Sequence, residues 1–74
     1  MISDIAVHFG NAIRVIRHRE GISQEELADR CGLHRTYVSD IELGKRNVSL
    51  ENIERLACAL RVSLVELFEE VSRT

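Results

Sequence analysis

Helix starts are written into this chain with unusual clarity. Ser23 is followed three residues on by Glu26, and Ser63 by Glu66. At that spacing the serine hydroxyl accepts from the N–H at the third helical position, while the glutamate reaches back to the cap N–H. Ile22 with Leu27, and Val62 with Leu67, bracket these boxes as apolar staples. Ser49 repeats the pattern between Val48 and Ile53, with Asn52 in place of the acidic partner. Each cap contributes roughly 1 kcal/mol. No proline interrupts the chain, and neither an alternating run of strand length nor a two-residue hairpin signal occurs. An all-α fold is predicted.

Apolar spacing then predicts five helices. The first covers about Asp4 to Arg19, with Ile5, Phe9, Ile13 and Ile16 on one face. The second covers about Gln24 to Cys31, burying Leu27, Ala28 and Cys31. The third covers about Arg35 to Leu43 and buries only Val38 and Ile41. The fourth covers about Leu50 to Leu60, burying Ile53, Leu56, Ala57 and Leu60. The fifth covers about Leu64 to Ser72, with Leu64, Leu67, Phe68 and Val71 apolar. Gly10 falls inside the first pattern and predicts a close approach to a neighbouring element. With 74 residues and neither repeat nor linker, the expectation is a single compact bundle, one domain over residues 1–74.

Several function classes lose ground on composition. Apolar residues are 45% and charged residues 30% of the chain, a globular balance, and the net charge is only −2. No run approaches the roughly 18 apolar residues that span a membrane, and no basic-then-apolar leader opens the chain, so a cytoplasmic protein without a membrane partner is expected. A chain this short has little room for a scaffold and a deep cleft. No Ser/His/Asp constellation, phosphate loop or carboxylate pair suggests an enzyme, a cofactor or a small-molecule ligand. Cys31 and Cys58 form no CxxC and sit in apolar helical phase, predicting buried, reduced thiols. His8, His18 and His34 are scattered and suggest no metal site.

The stretch from Ser23 to Gly44 is the informative one. Two short helices joined through Cys31–Gly32–Leu33–His34 fit a steep helix-turn-helix crossing. The second needs only Val38 and Ile41 for the core, leaving Arg35, Thr36, Ser39 and Asp40 outward and Tyr37 at the flank. A major groove admits one α-helix, and an arginine fork matches a guanine edge while threonine can bond a base or meet a thymine methyl. Such motifs reach bases from the N-terminal end of the second helix. Lys45, Arg46 and Asn47 follow directly, placed to meet phosphates. The basic footprint is local: residues 1–47 carry seven basic and seven acidic side chains, residues 48–74 three and five.

The run SQEELADRCGLHRTYVSDIELGKRNVSLENI resembles the Cro/C1-type (XRE) helix-turn-helix family, and the five-helix order matches that family's lambda-repressor-like fold across nearly the whole chain. Within it, GLHRTYVSDIELGKRNVSLENIERLACAL is most similar to the controller proteins of restriction–modification systems. The resemblance implies that Gln24 bonds a backbone phosphate and that Arg35 and Thr36 contact bases, with Ser39 and Asp40 in or beside the groove. It implies that Tyr37 touches phosphate or, by rearrangement, a base edge. Lys45, Arg46 and Asn47 would contact the DNA backbone, with Arg46 in reach of the minor groove. It further implies an orienting salt bridge between Arg17 and Glu42. Leu43 departs from a usually polar family position. Asp40 faces a polyanion, so it either accepts from a cytosine amino group, orients Arg35, or serves an internal ion pair.

One such module covers too few base pairs for useful specificity, which predicts a homodimer reading two half-sites of a palindromic operator. The apolar stripe of the last helix, Leu64, Leu67, Phe68 and Val71, suggests self-association, and the family resemblance implies an interface on that helix and the end of the fourth, with Leu64, Val65, Leu67 and Phe68. The function these features imply is sequence-specific transcriptional regulation on double-stranded DNA. A stand-alone or prophage-type repressor or antitoxin, and a protein–protein module on the same fold, are the alternatives.

Overall fold

Serine caps open three of the five helices found in the computed structural model, which describes residues 4–74. The first three positions of the expected 1–74 domain lie outside the described residues. The order is α1 Asp4–Glu20, α2 Gln24–Cys31, α3 Arg35–Glu42, α4 Leu50–Ala59 and α5 Leu64–Arg73, with no strand among the described residues. Ser63 makes the full reciprocal box with Glu66, each bond at 3.0 Å. Ser49 accepts from the Asn52 N–H at 3.2 Å. Ser23 accepts from the Glu26 N–H at 3.0 Å, but the Glu26 carboxylate turns along the helix to Arg30 at 3.2 Å. That box is therefore half made, because an i,i+4 basic partner competes for the acidic group.

The core is filled by Ile13, Leu27, Val38, Ile41, Leu56, Leu60 and Leu67, one or two from each helix. Burying a side chain of this size stabilises by about 1.5–3 kcal/mol relative to leaving it in water. α1 runs through the middle and packs on both α3 and α5, while α2 packs on α3 and α4. Gly10 marks where α1 meets the end of α3: a Cβ there would run into the Ile41 carbonyl oxygen. Only a residue without a side chain allows this approach. At the bend between α2 and α3, Gly32 takes φ 69° and its N–H caps the end of α2, a left-handed ending that costs glycine nothing.

Three expectations need correcting. Ile5 is on the right face of α1 but is 58% exposed; its turn overhangs the core and lines an open depression with Val48 and Ile53. Cys58 is exposed, whereas Cys31 is buried. Cys58 stands two residues from both Leu56 and Leu60, roughly 160–200° around the helix from their stripe. Burial pushes the Cys31 thiol up from its ordinary range, and its Sγ donates to the Arg55 carbonyl at 3.7 Å. Leu67, expected at an intersubunit surface, is completely buried. It lies one turn before buried Val71, so these two form the inward line of α5 and Leu64, Val65 and Phe68 form its flank.

Candidate nucleic-acid interface

The outward side of α3 is held in place by an ion pair beneath it. Arg17 of α1 donates through Nε to Glu42 Oε2 at 2.6 Å and through Nη2 to Oε1 at 2.9 Å. Both side chains are buried, and the remaining Arg17 Nη1 donates to the Ile22 carbonyl at 3.0 Å. A two-pronged pair of this kind fixes orientation, since both planes must align. Its worth lies in geometry, because desolvation offsets much of the Coulomb attraction. Gln24, opening α2, joins the same cluster by donating its Nε2 to Glu42 Oε1 at 3.0 Å. One carboxylate thus ties α1, α2 and α3 together.

On that platform Arg35 and Thr36 are exposed, and Tyr37, Ser39 and Asp40 are half-buried. His34 precedes α3 without a side-chain cap bond, so the first N–H groups of the helix have no side-chain acceptor from it, a polarity suited to an anion. Lys45, Arg46 and Asn47 are exposed in the loop after α3. Arg46 folds back over α3: its Nη2 lies 3.4 Å from Asp40 Oδ2, and its guanidinium carbon stands 5.3 Å from the centroid of the Tyr37 ring. Of the roles open to Asp40, the internal ion pair is thus the one seen in the free chain, and Arg35 is not its partner here.

Two further residues that the sequence did not single out border these surfaces. Asn52 of α4 donates through Nδ2 to Tyr37 Oη at 3.2 Å. In the sequence it registers only as an imperfect capping partner of Ser49, and no local pattern links it to a residue fifteen positions earlier. Leu50 is 79% exposed and shares a shallow depression with Leu64 of α5. Spacing does not signal this: Leu50 stands three residues before Ile53 and seven before buried Ala57, in phase with their stripe.

The apolar flank of α5 is the other conspicuous surface. Val65 is 70% exposed, and Leu64 and Phe68 are also open. Phe68 leans on Phe9 of α1, with ring centroids 6.1 Å apart, so its inner edge is anchored and its outer edge is wet. Behind this flank Glu70 receives Arg19 at 2.8 Å and Arg73 at 3.1 Å. The hydrogen bond from Arg19 holds its carboxyl below the usual carboxylate range. Among the described residues no group of three or more His, Cys, Asp and Glu could hold a metal, and no helix is long and apolar enough to cross a membrane.

Comparison with known proteins agrees with this geometry. Residues 13–67 match the family model described as helix-turn-helix, HTH_3. Control protein C.BamHI of Bacillus amyloliquefaciens is 50% identical over 70 residues, 93% of this chain and 86% of the relative. The restriction-modification controller protein C.AhdI from Aeromonas hydrophila superposes with a TM-score of 0.82 at 51% identity, covering 85% of this chain and 96% of that one. The controller protein C.Esp1396I, solved as a tetramer in complex with its natural 35 base-pair operator, superposes with a TM-score of 0.90 at 35% identity over 96% and 93% of the two chains. With the family model spanning most of its length, and with α2 and α3 built as the pair that defines the motif, this chain belongs to the Cro/C1-type (XRE) helix-turn-helix family.

Proposed function

We propose that this protein is a homodimeric, sequence-specific DNA-binding transcriptional regulator, a controller protein of a restriction–modification system. The observation that carries the reading is the N-terminal half of α3: Arg35 and Thr36 stand exposed on a helix whose rotation is locked by the buried Arg17–Glu42 pair. A side chain can read a base edge only if its helix holds one angle in the groove, and a locked helix supplies that. The operator-bound tetramer of C.Esp1396I and the likeness to C.BamHI and C.AhdI support the assignment.

In this reading Arg35 and Thr36 contact bases, with Ser39 and Asp40 beside them. Gln24, Lys45, Arg46 and Asn47 meet the DNA backbone, Gln24 by turning from Glu42 or sharing it, and Tyr37 meets a phosphate or, by rearrangement, a base edge. Leu64, Val65 and Phe68, joined by Leu50, cover one another across a twofold axis and set the spacing of the two recognition helices at about one turn of the duplex. The chain works as one domain in the cytoplasm, without catalysis, and its activity is set by its concentration through the monomer–dimer equilibrium. Selection of bound duplexes from a random pool tests the reading. A twofold-symmetric motif with two half-sites is expected, and enrichment of no motif would overturn it.

A further inference from the structure

Tyr37 is the single tyrosine of a chain that has no tryptophan, and two other elements converge on it. From α4, Asn52 Nδ2 donates to its hydroxyl oxygen at 3.2 Å. From the loop after α3, the Arg46 guanidinium lies 5.3 Å from the ring centroid, steadied by Asp40 at 3.4 Å. The ring is half-buried, and together with Thr36, Arg46 and Asn52 it lines an open concavity beside the outward face of α3.

The direction of the Asn52 bond matters more than its existence. Because the amide donates, the phenol oxygen is the acceptor, and the hydroxyl proton stays free to be given elsewhere. The Tyr37 hydroxyl is thus presented as a donor. The acceptors that the major groove and the strands offer it are guanine O6 and N7, adenine N7, thymine O4 and phosphate oxygens. Arg46 on the ring restricts the same side chain from another direction, since a cation over an aromatic face favours one ring placement over its alternatives.

We propose that Asn52 is a specificity-positioning residue: from α4, it fixes where the Tyr37 ring stands and leaves its hydroxyl proton for an acceptor on the operator. This deepens the DNA-reading assignment above and rests on it. Asn52 itself acts through Tyr37, and its effect is confined to the base pairs the ring can reach.

The test uses the full-length protein and the duplex selected by the wild type, with single-base-pair variants of that duplex. Asn52→Ala is expected to lower discrimination at one position of each half-site by about 3- to 10-fold, the worth of one hydrogen bond, with the salt dependence of binding unchanged. Tyr37→Phe should lose discrimination at that same position, and the double variant should lose no more than Tyr37→Phe alone. Asn52→Asp reverses the bond, since a carboxylate accepts the phenol proton, and should lose discrimination there as well. Both Asn52 variants should fold, because alanine and aspartate are tolerated in a first helical turn. Each should change the near-ultraviolet circular dichroism band of the lone tyrosine in the free protein.

Multiplicative losses in the double variant, or an unmoved tyrosine band, would overturn the proposal. A wild type that selects no sequence defeats the regulator reading along with it. A wild type that selects, beside an Asn52→Ala variant that discriminates as sharply, defeats the role of Asn52 alone.

Discussion

Around α3 several outward polar side chains hold one another, Asp40 to Arg46, Arg46 to Tyr37 and Tyr37 to Asn52. Along α5 they are apolar and stand open, Val65, Leu64 and Phe68 with Leu50 beside them. The polar surface rests on a buried ion pair and the apolar one on a buried leucine. The difference fits two kinds of partner. A polyanion is met by side chains whose positions are set in advance and whose charges can be exchanged for phosphate contacts. A second copy of the chain is met by area that water releases. Fixed direction matters for the first and contact area for the second.

The largest expected effect tests the support of the polar surface. Glu42→Ala leaves the Arg17 guanidinium buried without its carboxylate and should cost about 3–5 kcal/mol of stability, read from chemical denaturation. A loss below about 1 kcal/mol would mean that the α1–α3 register is set without the pair.

Next come two residues on adjoining faces of α5. Leu67→Ala should destabilise the fold by about 2–5 kcal/mol through cavity formation. Val65→Asp should leave helicity intact by circular dichroism and weaken self-association about 10- to 100-fold in sedimentation, as for an interface anchor. If Val65→Asp unfolds the chain, or leaves association untouched, the division of α5 into a core line and a contact flank is wrong.

Smaller still, and on the polar surface, Arg35→Ala should remove about 1–3 kcal/mol of preference at one base pair per half-site. Arg46→Ala should weaken binding evenly across sequences and reduce the salt slope by about one. Exchanged phenotypes would swap their roles.

The least effect concerns acid. Glu70 ionises at lower pH in the folded chain than its ordinary value of 4.5, because of its hydrogen bond to Arg19. Its contribution is therefore complete above that value and fades as pH falls through the lower native one. Glu70→Gln should be less stable than wild type at pH 7, with the gap closing in acid. A gap that stays constant with pH would assign the contribution to packing.

How much of this was legible in the chain depended on distance along it. Serine caps, the glycine bend and the Val38–Ile41 spacing are local signals, and each led to the element found. The Arg17–Glu42 pair came from family resemblance, since twenty-five residues separate the two and no periodicity joins them. For Ile5 and Leu67, spacing assigns a face but does not say how far the neighbouring helices extend over it. Cys58 differs: it lies across the helix from the Leu56 and Leu60 stripe, so its phase was misjudged.

The amino-acid order by itself determined five helices, their ends, and an α3 that gives Val38 and Ile41 to the core and turns Arg35 and Thr36 outward. These follow from hydrogen bonding and rotation within a few residues, which any folded context preserves. Tertiary structure alone decided that Asn52 meets Tyr37, that Arg46 leans on it, and which leucines of α4 and α5 remain wet. Such contacts join residues far apart in the chain, and their geometry exists only once the helices have settled against α1.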